Sequence, residues 1–182
     1  LKGDLHTLQW LHDCGCPWNK STTAAAAKRG DAPMLEFLYE NGCAWDASVC
    51  VYTAERGDLA MLQWARVREC PWNAQACSAA ARAGHLEVLK WLRSKSCPWD
   101  RWTCTEAARN GHLHVLQWAR RNGCLWNEGV CYRAAQEGHL ECLQWARLNG
   151  CPWNASVCAV AAQAGHLQVL LWARSHGCPW NS

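Results

Sequence analysis

Tryptophan recurs along this chain at a fixed step. Trp18, Trp45, Trp72, Trp99, Trp126, Trp153 and Trp180 follow one another at intervals of 27 residues, and Trp10, Phe37, Trp64, Trp91, Trp118, Trp145 and Trp172 form a second series with the same step. A strict period of this length means one supersecondary unit copied several times, each copy unable to bury its apolar face without a neighbour. The copying also accounts for the composition, in which 14 Trp stand against 3 Tyr and a single Phe. Counted from the Asn or Asp after each CPW-type triplet, complete repeats start at residues 19, 46, 73, 100, 127 and 154. Residues 1–18 read as the second half of a preceding repeat, and the last two residues begin another, so 1–182 is expected to form a single repeat domain.

Each unit carries two helical patterns. In the fifth, Asn127 is placed to accept backbone N–H bonds at a helix start, Cys131, Ala134 and Ala135 fall at helical spacing, and Gly138 stops the helix. A second helix runs from His139 through Leu140, Cys142, Leu143, Trp145 and Ala146 to Gly150. Its apolar residues cover more than one face, as expected of a helix flanked by its partner and by neighbouring units. Nothing alternates with period two, so the fold class is all-α, a solenoid of stacked helix-turn-helix units.

The formal charge of +3 neither demands nor excludes a polyanionic partner. No apolar run approaches the roughly 18 residues that a membrane-spanning helix needs, and no apolar leader opens the chain, so it reads as soluble with no membrane partner. No nucleophile and base pair, phosphate-binding loop or paired carboxylate stands out from the repeat background, which argues against an enzyme and against a cofactor. The chain starts at Leu1, and Leu5, Leu8 and Trp10 would have no preceding unit to cover them. The sequence is therefore expected to be part of a longer array, with end-to-end self-association through its open face.

The pattern AAxxGHLxxL followed by W, A, R and a glycine is clearest in Ala80–Trp91, Ala107–Trp118, Ala134–Trp145 and Ala161–Trp172. It resembles the ankyrin repeat, whose consensus runs AAxxGHLEVVKLLLExGADVN, with the GCPWN segments in the place of GADVN. Through the shared register the resemblance covers the whole chain. One departure stands out. Ankyrin units have about 33 residues, and the shortfall here lies between the Asn of GADVN and the Ala pair, so the β-hairpin finger is missing and no TPLH occurs. Bare helix pairs with short turns are expected, with enlarged side chains, above all tryptophan, as the main cement.

Cysteine recurs at Cys16, Cys43, Cys70, Cys97, Cys124, Cys151 and Cys178, and again at Cys50, Cys77, Cys104, Cys131 and Cys158; Cys14 and Cys142 are extra. A spacing of Cys, six residues, Cys is not that of a zinc knuckle. The resemblance places both series at packing positions, where thiols behave as small hydrophobes, so reduced and metal-free cysteine is expected. His85, His112, His139 and His166 share a register with Asp4, Asp31 and Asp58, and helix capping is the role that explains both residue types. The sequons at Asn19 and Asn154 coincide with predicted helix caps and read as accidents of the repeat. An intracellular protein, cytoplasmic or nuclear, fits best.

In a solenoid, function is sought where the repeat stops repeating, because packing fixes the framework positions. The two residues before each mid-repeat glycine vary: Lys28 and Arg29, Glu55 and Arg56, Arg82 and Ala83, Arg109 and Asn110, Gln136 and Glu137, Gln163 and Ala164. The resemblance puts these positions on the concave binding groove. Trp102 is an outlier where other units carry Ser21, Ser48, Gln75, Gly129 and Ser156, and Tyr52, Glu106, Arg133 and Val160 vary at another position. The expected partner-binding residues are thus Lys28, Arg29, Arg56, Arg82, Trp102 and Arg109, lining a partly basic groove for another protein. Arg66, Arg93, Arg120, Arg147 and Arg174 form a regular ladder on the second helices. Its bland reading is dipole compensation and cover for apolar surface. Its sharper reading is RNA or another polyanion laid along the ladder, with Trp102 as a stacking platform.

Overall fold

A computed structural model describes residues 5–15 and 17–180. Every unit opens on a capped helix. The side-chain oxygens of Asn19, Asp46, Asn73, Asp100, Asn127 and Asn154 each accept the N–H two residues on, at 2.9–3.2 Å, which satisfies a backbone donor the helix cannot. Both sequon asparagines are therefore caps. After an isolated first helix, α1 (Leu5–Asp13), the units are α2 (Lys20–Arg29) with α3 (Ala32–Glu40), α4 (Ala47–Arg56) with α5 (Leu59–Val67), and α6 (Ala74–Arg82) with α7 (Leu86–Ser94). They continue as α8 (Arg101–Arg109) with α9 (Leu113–Arg121), α10 (Glu128–Gln136) with α11 (Leu140–Leu148), and α12 (Ser156–Gln163) with α13 (Leu167–Ser175). There is no strand among the described residues. The shortened segment before the alanine pair builds helix only, as the missing hairpin implied.

The first helices pack directly on one another along the array, α2 on α4, α4 on α6 and onward to α12, whereas each second helix rests mainly on the first helix of its own unit. Alanine makes the close approach possible: Ala79, Ala80, Ala107, Ala108, Ala134 and Ala135 are fully buried between helices. Leu62, Leu89, Leu116 and Leu143 fill the space between the two layers. At the N-terminal end, Asp4 and Cys16 and the side chains of Leu5 and Leu8 lie outside the described residues, as do residues 181 and 182 at the other end; Trp10 is exposed.

Tryptophan does not form this buried core. From Trp18 to Trp172 the two periodic series are half-buried and make a continuous seam along one side. Trp45 meets Trp64 edge to face, and so do Trp72 and Trp91, Trp99 and Trp118, Trp126 and Trp145, and Trp153 and Trp172, with ring centroids 5.7–6.0 Å apart. Such pairing adds to area burial and links the turn of one unit to the second helix of the next. The cement is thus divided between an aliphatic and thiol interior and an aromatic outer seam.

Candidate functional site

Three families of recurring polar residue have to be placed before a site can be recognised. The arginine ladder belongs to the tryptophan seam. Arg66, Arg93, Arg120, Arg147 and Arg174 each lay a guanidinium over the tryptophan six residues on, 4.0–4.7 Å from the ring centroid. Arg120 also donates to the Cys124 carbonyl at 3.3 Å, and Arg66, Arg93 and Arg147 bond the matching carbonyls of Cys70, Cys97 and Cys151. Where the register holds another residue a ring contact persists, with Tyr39 tilted against Trp45 at 4.5 Å and His12 stacked on Trp18 at 3.7 Å. The ladder is a framework device, each guanidinium laid on a ring of the seam and four of the five also bonded to a carbonyl. A polyanion track along it is not supported.

The histidines are not helix caps. Asp31 and Asp58 do cap, accepting the N–H of Met34 at 3.2 Å and of Met61 at 2.9 Å, but His85, His112, His139 and His166 make no cap bond. The ring is too bulky to fold back on its own helix and reaches the preceding unit instead. His112 donates through Nε2 to the Arg82 carbonyl and His166 to the Gln136 carbonyl, both at 3.0 Å, each over the bare Cα of the mid-unit glycine. Burial, partly offset by that hydrogen bond, holds His112 below its ordinary value. Arg56 performs the same bridging for the first unit. Asp58 stands in the histidine register there, and Arg56 covers Gly30 and donates to the Lys28 carbonyl at 3.4 Å.

The thiols are spoken for as well. Cys70, Cys97, Cys124, Cys151 and Cys178 point Sγ at the carbonyl of the cap residue opening their own unit, at 3.2–3.6 Å, so each thiol ties the end of a unit to its start. The second series lies beside the first, and Cys77, Cys104 and Cys131 are held far above the usual thiol range by hydrogen bonds to Cys97, Cys124 and Cys151 and by burial. Burial, with the Glu141 carboxylate next to it, pushes Cys142 up to about 11. Cys77, Cys104, Cys131 and Cys142 are thus packing groups and poor nucleophiles.

What remains is a groove along the exposed side of the first helices. It is open, encloses about 1040 Å³, and draws Lys28, Tyr52, Glu55, Gln75, Arg82 and Trp102 from four successive units. A second hollow of about 600 Å³ continues from it, sharing Arg82 and Glu106 and adding Arg109 and Glu137. Four of the six expected binding residues, Lys28, Arg82, Trp102 and Arg109, are therefore brought into one depression. Arg29 is exposed but lines neither hollow, and Arg56 is turned to the bridging role.

The electrostatic character differs from the basic groove expected. The main groove is lined by two cations, Lys28 and Arg82, against four carboxylates, Asp46, Glu55, Asp100 and Glu106. Arg82 is paired with Glu55 at 3.6 Å and Arg109 with Glu137 at 3.4 Å, so neither presents a free positive charge. Such half-exposed pairs contribute little to stability, but they cancel the field a ladder of arginines would otherwise create. Lys28 lies 5.8 Å from the Tyr52 ring centroid. Trp102 is the outlier that the repeat comparison marked: 47% of its surface is exposed, while the seam tryptophans of the inner units are half-buried. Sequence reasoning placed Glu55 among the variable groove positions but missed its pairing with Arg82 one period on.

The family model described as Ankyrin repeats (many copies) matches residues 77–120. Residues 77–120 thus carry the ankyrin-repeat pattern. Its fold is similar to that of the human ASB11 ankyrin repeat domain, with a TM-score of 0.67 over 86% of this chain and 84% of that one, at 14% sequence identity. A comparison with curated protein sequences gives no match. Ankyrin repeats generally mediate protein–protein interaction, and the fold is typically a non-enzymatic scaffold. No helix among the described residues is long and apolar enough to cross a membrane.

Proposed function

We propose that this ankyrin array is a non-enzymatic scaffold that holds a partner protein in the groove of its first helices. The observation that carries the reading is the exposure of Trp102 in that groove. Every other periodic feature is explained by the contacts that join units, whereas Trp102 breaks its register and touches the open groove, beside Tyr52, Arg82 and Glu106. Exposed aromatic side chains in a concavity rimmed by charge are the usual anchors of protein interfaces. Tyr52 and Trp102 would provide the apolar contacts, with Lys28, Arg82 and Arg109 fixing register at the rim. The wealth of unpaired thiols suits a reducing compartment, so we place the protein in the cytoplasm or nucleus.

The test is a comparison of two tryptophans. Trp102→Ala weakens capture of partners from a cell lysate, treated with nuclease or not, and leaves the melting temperature nearly unchanged. Trp126→Ala, in the seam, lowers the melting temperature and leaves capture per folded molecule intact. The reverse pattern would move Trp102 into the framework and dismiss the groove.

A further inference from the structure

We infer that the groove takes a basic segment of its partner, with an arginine side chain laid across Trp102 and its guanidinium against Glu106; the inference rests on the groove being the binding face. Of the four carboxylates in the groove, three are already committed. Asp46 accepts the N–H and hydroxyl of Ser48, at 2.9 and 2.5 Å, and Asp100 accepts the N–H of Trp102 at 3.0 Å, both as helix caps. Glu55 faces Arg82. Glu106 is different: its Oε2 is shut off from solvent and has no hydrogen-bond partner. A half-buried carboxylate in that state carries an uncompensated desolvation cost, which a cation brought by a ligand to its groove side would offset.

The nearby cations do not meet this need. Arg82 and Arg109, the arginines lining the same hollows, are engaged with Glu55 and Glu137, and Lys28 stands on α2, three units before Glu106 on α8. Arg101 approaches the Trp102 ring only at 5.9 Å, near the outer limit of a cation–π contact and well beyond the 4.0–4.7 Å of the seam arginines. Trp102 and Glu106 are one helical turn apart on α8, so their side chains neighbour each other on one face. An indole plane beside an unsatisfied carboxylate matches a guanidinium, which stacks through its face and donates through its edge, better than it matches the compact ammonium of lysine. The excess of carboxylates over cations in the groove favours a basic segment over an acidic one.

The experiment pans a random dodecapeptide phage library against the intact chain and counter-screens the clones on Trp102→Gln, a change this register tolerates since Gln75 occupies it one unit earlier. Clones lost on Trp102→Gln are expected to be enriched in arginine. Their synthetic peptides should bind Glu106→Gln about tenfold more weakly than the parent chain, and should lose as much when the arginine is replaced by citrulline. Glu106→Gln should melt no lower than the parent, because it removes an unpaired carboxylate. Clones lost on Trp102→Gln but poor in arginine, or rich in it yet indifferent to Glu106→Gln, would overturn the inference and leave the groove standing. If no clone depends on Trp102, both the inference and the groove reading fall.

Discussion

The contact between a histidine and the glycine of the preceding unit gives a sharp test of how the repeats are joined. At Gly84 the backbone has φ +78°, and a Cβ built there would stand 2.8 Å from Cε1 and Nδ1 of His112 and 3.1 Å from its Cγ. At Gly123, with φ +86°, an added Cβ would meet nothing within 4 Å. Gly123→Ala thus carries only the cost of a left-handed alanine, about 1 kcal/mol. Gly84→Ala carries the same cost and must also displace a ring that is tied to the Arg82 carbonyl at 3.0 Å. Losing that bond and repacking the junction adds about 1–3 kcal/mol. The assay is urea unfolding followed by circular dichroism, for both variants and again in a His112→Ala background. There the penalty of Gly84→Ala should shrink to that of Gly123→Ala. Equal penalties at the two glycines in the parent chain would show that the histidine contact joins nothing.

Three further outcomes follow from the framework. Arg120→Ala should cost about 1–2 kcal/mol in the same assay, since it removes both the bond to Cys124 and the cation over Trp126, whereas Arg109→Ala should cost less than about 0.5 kcal/mol as a half-exposed pair. His112 is held below its ordinary 6.5 by burial, so the unfolded chain takes up the proton first: its contribution is complete above about pH 6.5 and fades as the pH falls below that value. The urea midpoint should accordingly drop between about pH 7 and pH 5.5, and drop less in His112→Gln. Ellman's reagent should label exposed Cys14 at once and reach Cys104, Cys131 and Cys142 only as the chain unfolds, while a chelator leaves the melting temperature unmoved; a stoichiometric zinc content would contradict this.

Much of the fold was legible because it depends on local chemistry. Cap residues such as Asn127 and helix-stopping glycines act within a few residues of themselves, and the alanine pairs lie on one helical face, so spacing alone revealed them. Contacts between units were less accessible. Nothing in a histidine's register distinguishes folding back onto its own helix, as Asp58 does, from reaching forward to the previous unit, as His112 does. The stacking of Arg120 on Trp126 likewise depends on how the CPW turn folds back, which a six-residue separation does not disclose. In the groove, Trp102 stood out as a departure from the repeat. The sign of the groove's charge was misread because Glu55 was taken only as a gap in a row of arginines, whereas it pairs with Arg82 one unit on, as Glu137 does with Arg109, and Asp46, Asp100 and Glu106 line the groove as well.

The claim that the first-helix groove is the working face is tested most directly by placing a photo-crosslinking amino acid at Gln75, inside the groove, and in a second variant at Leu148, exposed on a second helix. Illumination in a lysate should yield a discrete crosslinked partner from position 75, abolished by Trp102→Gln, and none from position 148. A partner crosslinked from 148 and not from 75 would contradict the account.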